Sequence, residues 1–450
     1  MLRVRWLEID DPTSQLDWRA LAPILAALFF NAAFWLLNDH DLWRFNWPPS
    51  AFAASSVFGL ACAALFFVGP ALAAQAAGSF RLMLASAFGT VPGFCVQMAC
   101  AVYLVTWISR LLPLVCLFLG LANPPRPAIE LGTIWGAILL LVYLTGCQSV
   151  RISSALARVT IRLAAAIMIA ALIRVRSGWF AIPMGFESHS QYSLFEDAWR
   201  SFSDISFYVA PLALLAAIFG ARLANRKAVA MTALMGIATP LAATLFVVTI
   251  LSVATYASGF YRPGSFQNIF VSLASGTTHV REKAILLIFS VTILGVLRFS
   301  VAALKEVATV RWIPPRFSWI PFGCLVSAIV WYSVHSDWEV MARVAERSTE
   351  ILAAFAAILT VDALMRRKFH QPQAFDWAGT LSLICGVGVP AFIRFWRSGT
   401  AEDSWGHPWL LPSYGISFVV CLVARALACS AGFSPRLNPA PPTNKPTPSG

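Results

Sequence analysis

FAASSVFGLACAALFFVGPALAA, residues 52–74, contains no charged side chain. A run of this length matches the ~20 apolar residues a helix needs to cross a hydrocarbon core of ~30 Å. Lipid offers no partner to backbone amides and carbonyls, so only a helix or a closed barrel satisfies them there. Barrel strands would be about half as long and would alternate apolar and polar residues; this run does neither. It reads as a membrane-spanning helix.

The pattern repeats outward in both directions. Spans are predicted at 20–37, 52–74, 94–119, 129–147, 154–173, 204–221, 230–256, 284–304, 318–334, 349–365, 378–396 and 409–429. The composition agrees: 58% of the 450 residues are hydrophobic and 12% charged, about half the ~25% charged share of a soluble domain. The fold class expected is an all-α polytopic integral membrane protein of about 12 transmembrane helices. Residues 1–18 form a cytoplasmic N-terminal segment, since Glu8, Asp10, Asp11 and Asp17 rule out a cleavable signal. Residues 431–450, rich in proline, form a disordered tail.

The net charge of +12 raises the question of nucleic acid. The basic residues instead gather at the ends of apolar runs, as in Arg222, Arg226 and Lys227, or Arg366, Arg367 and Lys368. This is the pattern of membrane anchors under the positive-inside rule. It places the chain as a multi-pass protein of the cell (inner) membrane, with the lipid bilayer as partner and no nucleic acid. None of the nine cysteines forms a CxxC pair, and the six histidines stand singly with no HExxH. An enzyme is not expected, and no cofactor motif is present. No motif speaks to oligomeric state.

Two spans are interrupted in related ways. The first has Pro23 and Asn31; the sixth has Pro211 and Gly220. Broken helices at matching positions point to inverted repeats around a midplane site, because a break frees backbone groups to bind solute or ion. The chain then divides into a transporter domain over 19–430, with repeat one about 19–173, repeat two about 204–365 and extra helices about 378–429. Asn31 is a candidate site residue at the break, or else an interhelical hydrogen-bond residue.

Short motifs from the second span onward resemble the nucleobase:cation symporter-1 family, the purine–cytosine permease type. They are Gly78, Arg81 and Phe88-Gly89; Trp107; Phe219-Gly220-Ala221-Arg222; Thr360 to Arg367; and Phe375-Asp376-Trp377-Ala378. The resemblance implies a LeuT-like 5+5 inverted repeat plus two C-terminal helices, coupling to Na+ or H+, and stacking of a heterocyclic substrate on Trp107. It implies hydroxyl ligands for sodium near Thr292. Departures are equally plain: Leu111 replaces a family Gln, Phe219 an Asp and Ala210 a second stacking Trp, while Arg298 lies near a substrate-binding Asn.

Two arginines fall at membrane depth. Arg110 shares a helix face with Trp107, and Arg298 lies two-thirds through the eighth span. An arginine near the bilayer centre costs about 2.5–3.5 kcal/mol on insertion scales, so it should face a cavity or a partner. No Asp or Glu is expected in the middle of any span; Asp362 sits near a helix end, where Arg366 is its i,i+4 partner. Arg110 and Arg298 therefore serve an anionic solute, such as an acidic heterocycle, or else snorkel or bond free carbonyls. The function expected is secondary active transport of a small nucleobase-like or acidic heterocyclic solute by alternating access. A non-transporting receptor or assembly protein on a transporter frame is the alternative, and a polytopic membrane enzyme a lesser one.

Overall fold

The computed structural model describes residues 16–30, 49–118, 128–146, 150–174, 214, 217–246, 279–308, 319–335, 338–365, 375–397 and 410–430. These residues are helical apart from turns, caps and one isolated bridge, Leu16 with Leu223. The helices are α1 (Trp18–Phe29), α2 (Pro49–Ala77), α3 (Phe80–Phe88), α4 (Thr90–Phe118), α5 (Ala128–Gly146) and α6 (Val150–Arg174). After a 3-10 turn at Ala217–Arg222 come α7 (Arg226–Phe246), α8 (His279–Ala308), α9 (Trp319–His335), α10 (Trp338–Met365), α11 (Trp377–Arg397) and α12 (Leu410–Ser430).

Four stretches among the described residues are long and apolar enough to cross a membrane: Thr90–Ser109, Arg226–Phe246, Ser348–Met365 and Leu410–Ser430. A fifth counts if Cys62–Ala77 and Phe80–Phe88, bent by 99° at their junction, form one span.

Each irregularity has a local cause. Pro23 sits inside α1 and cannot donate to the carbonyl four residues back, that of Arg19; Arg158 Nη2 on α6 donates to that oxygen instead, at 3.4 Å. The corner between α2 and α3 turns at Gly78, φ 77°, and α3 ends at Gly89, φ 88°, a left-handed conformation glycine adopts at little cost. Ser79 opens α3 by accepting the Leu82 N–H at 3.2 Å, an N-cap. A π turn at Ala233–Ala238 widens α7. There a Cβ on Gly236 would sit 3.1 Å from the Ala22 backbone, so α1 lies close along this turn.

At the centre stands α10, which packs on α2, α4, α11 and α12. Leu352 to Leu359 are all fully buried, so this stretch is covered on every side, as expected of an interior helix. The pair α11–α12 lies at the periphery; only 28% of the Leu410–Ser430 window is buried.

The structure differs from the expected spans in places. Helix α1 leaves the α region at Phe30, with φ −113° and ψ 74°, and the rest of the expected first span, 31–37, lies outside the described residues. Residues 80–88 form a separate helix that the apolar runs did not mark, being short and flanked by positive-φ glycines. The described end of the sixth span is a 3-10 turn rather than an α-helix. Finally, the expected tenth span, 349–365, matches the apolar window Ser348–Met365, but helix α10 begins earlier, at Trp338, because a helix outlasts its apolar stretch. Glu350, 3% exposed, lies at the start of that span and near the middle of the helix. Asn31, Pro211, Arg366, the N-terminal 15 residues and the tail lie outside the described residues.

Candidate substrate site

One face of the bundle fixes the depth of everything else. There the Leu16 N–H donates to Arg222 O at 2.7 Å, and the Ala224 N–H to Leu16 O at 3.2 Å. Gln75 Nε2 donates to Leu223 O at 2.9 Å, and Arg222 Nη2 meets Glu306 Oε1 at 3.3 Å. The Gln97 side chain donates to Val307 O, one of the last carbonyls of α8, which have no intrahelical partner. The start of α1, the ends of α2 and α8, the 3-10 turn and the beginning of α4 are thus tied together.

Helix rise converts sequence distance into height above this face. The start of α4 meets the end of α8, so the two run antiparallel and pack together. From Gln97 to Trp107 is ten residues and from Val307 back to Arg298 nine, or about 15 and 13.5 Å at 1.5 Å per residue. Trp107 and Arg298 therefore share a level. Along α1, Phe29 lies eleven helical residues, about 16.5 Å, from Trp18. Trp107 and Arg298 thus stand from the tied face by about half of a ~30 Å span.

At the end of α1, the Phe29 carbonyl accepts a hydrogen bond from Thr244 Oγ1 on α7 at 2.7 Å. Trp107 is 4% exposed, and its indole N–H has no hydrogen-bond partner among the described residues. A buried donor left unmade costs about 1–3 kcal/mol, so such a group invites explanation. Arg298 is 8% exposed. Its neighbour Phe299 stacks at a tilt on Phe219, centroids 5.2 Å apart. The residue at the family's acidic position thus makes an apolar contact with α8.

Of the expected site residues, Trp107 and Arg298 come together in depth. Arg110 lies on α4 one turn further, and its side chain falls outside the described residues, as does Asn31 altogether. Thr292 is fully buried on α8, six residues and about 9 Å beyond Arg298. No group of three or more His, Cys, Asp or Glu that could hold a metal ion occurs among the described residues.

Sequence reasoning missed the buried acid Glu350 and a cluster near the outer helices. Arg425 of α12 bonds Asp362 of α10 at 3.1 Å and Asp376 at 2.8 Å. The local reading of Asp362 with Arg366 obscured this pairing. The available signal was Arg425 itself, a charge within the last apolar run.

No protein-family model and no curated protein matches the chain. Solved structures do. A Na+-coupled sialic acid symporter, substrate-bound and outward-open, aligns with TM-score 0.61 and 8% identity over 95% of this chain and 93% of that one. Mhp1, a nucleobase-cation-symport-1 family transporter in a closed conformation with bromovinylhydantoin bound, aligns with TM-score 0.62 and 12% identity over 95% and 96%. MhsT in complex with L-phenylalanine aligns with TM-score 0.53 and 12% identity over 92% and 99%. Across almost its whole length, then, the chain has the LeuT-type transporter fold. Identities of this order establish architecture and leave substrate to be argued from the site.

Proposed function

We propose that the protein is a secondary active transporter that moves a small nucleobase-like or acidic heterocyclic solute by alternating access, coupled to Na+ or H+. On this reading it is a divergent nucleobase:cation symporter-1 member of the inner membrane, with two five-helix repeats followed by two extra helices. What supports it is that the end of α1, the buried Trp107 and the buried Arg298 each lie about 13–17 Å along their helices from the tied face.

Each group has a role in this reading. Trp107 stacks on a planar ring, and its N–H donates to an acceptor on the solute. Arg298, with Arg110 one helical turn along α4, favours negative charge on the solute. Asn31 lies just past the end of α1. Thr292, about 9 Å from Arg298 along α8, offers a hard oxygen suited to Na+. Opening to the tied face requires breaking the Leu16 pairing and the Arg222–Glu306 contact, and closing there requires remaking them.

The apolar Phe219–Phe299 contact, standing where the resembled family has an acid, favours a second reading: a receptor or assembly protein that keeps the frame without transport.

A thermal-shift screen of the purified protein against nucleobases, hydantoins and their carboxylated analogues, with and without Na+, tests the site. A ligand present at 100 times its Kd stabilises by about 2.7 kcal/mol, which should raise the melting temperature by several degrees. If no compound shifts it in either ionic condition, the assignment of a heterocycle site fails.

A further inference from the structure

Arg425 is 9% exposed and reaches three other elements at once. Its Nε donates to Asp362 Oδ1 on α10 at 3.1 Å, its Nη1 to Asp376 Oδ2 just before α11 at 2.8 Å, and its Nη2 to Ala87 O in the last turn of α3 at 3.3 Å. Asp376 is itself pinned. Its N–H donates to Phe88 O at 2.9 Å, and its Oδ1 caps α11 by accepting the Gly379 N–H at 2.9 Å. Thr380 Oγ1 also donates to Phe88 O, at 3.3 Å.

The carbonyls of Ala87 and Phe88 are at the C-terminal end of α3, where helical carbonyls lack partners and the helix dipole is negative. The chain leaves the helix there through Gly89, φ 88°. A Cβ on Gly379 would lie 1.9 Å from Ala87 O, so α11 meets α3 backbone to backbone. The result is a cage of oxygens, from α10, from the segment opening α11 and from α3, around one planar cation. Only a guanidinium presents donors in several fixed directions at once; a lysine ammonium is a point charge.

We propose that Arg425 is the pin of a brace by which the C-terminal pair α11–α12 holds the α3–α4 joint and so sets the seat of α4. The brace is a property of the fold and needs no substrate; its bearing on Trp107, seventeen residues into α4, rests on the function proposed above. Two extra helices outside a ten-helix core thereby act on the helix that carries the candidate site.

The test uses the full-length protein in lipid nanodiscs and residue-resolved amide hydrogen exchange. Arg425→Ala should speed exchange at the Asp376 and Gly379 amides about tenfold or more, while amides of α1 keep their protection. Guanidinium ion at millimolar, non-denaturing concentration should restore most of the lost protection by refilling the cage, and Arg425→Lys should not. Unchanged protection in Arg425→Ala overturns the proposal, and so does a local loss that guanidinium leaves unaltered. If Arg425→Ala does not fold, Asp376→Asn decides. It keeps the cap on Gly379 but loses the charge pair, so Gly379 should stay protected while the Asp376 amide exchanges faster. Equal protection at both amides would rule the brace out. Since no heterocycle is added, this result is independent of the outcome of the heterocycle screen.

Discussion

The indole of Trp107 is the most informative single group in the molecule. It is buried, and its N–H is unanswered by the described residues. Trp107→Phe removes that donor and keeps most of the packing. A lost hydrogen bond of about 0.5–1.5 kcal/mol predicts a two- to tenfold weaker ligand with little change in melting temperature. Trp107→Ala instead opens a cavity and should cost about 3–5 kcal/mol of stability. Ligand titration and thermal unfolding of both variants separate the two effects. In the sequence Arg298 stood out as a charge inside an apolar run, and Trp107 through the resemblance to the symporter family; their shared role is the proposal made above. The Arg425 cluster was not, because its partners are 63 and 49 residues away. The closest-lying base in sequence, Arg366, gave Asp362 a plausible local partner. Only packing chooses between a local and a distant pairing.

At the level of elements, apolar runs located the helices but not their ends. Hydropathy follows where lipid is, whereas a helix follows its own hydrogen bonds and caps. The first three turns of α10 therefore escaped, and Glu350 changed from a terminal to a mid-helix residue. The nine-residue α3 escaped as well, although Ser79 with flanking Gly78 and Gly89 is a readable cap-and-stop pattern. Close approaches make a paired prediction for α11. Gly379→Ala must push α11 away from α3, since its Cβ would meet Ala87 O at 1.9 Å, whereas a Cβ at Gly388 meets nothing within 4 Å. Gly379→Ala should lower thermal stability by more than about 2 kcal/mol, and Gly388→Ala should stay within about 0.5 kcal/mol or gain slightly. Equal melting temperatures would contradict the α3–α11 contact.

In the whole molecule, the membrane class and the LeuT-type frame were legible, and the position of each helix within the bundle was not. Ser348–Met365 and Leu410–Ser430 are both apolar enough to span, yet 72% of the first is buried and 28% of the second. Lipid tails and protein interior are equally apolar, so composition does not distinguish a central helix from a peripheral one. Pro23 and Asn31 pointed to an interruption in the first span; Pro23 lies inside α1 and Asn31 outside the described residues, and the end of α1 at Phe29–Phe30, with Thr244 donating to the Phe29 carbonyl, needed the fold. On the proposed function, the end of α1, Trp107 and Arg298 stand above a face held by contacts such as the half-exposed Arg222–Glu306 pair, which alternating access would open and close. Exposed pairs of that kind contribute about 0–1 kcal/mol, which suits a contact that must open and close.

Gradient-driven uptake tests this most directly. The protein in proteoliposomes, given labelled nucleobases, hydantoins and carboxylated analogues under an inward Na+ or H+ gradient, should accumulate at least one of them. That uptake should collapse when the gradient is dissipated and fall severalfold in Trp107→Phe. Saturable binding of such a compound with no accumulation under either gradient would contradict transport and leave a receptor on a transporter frame.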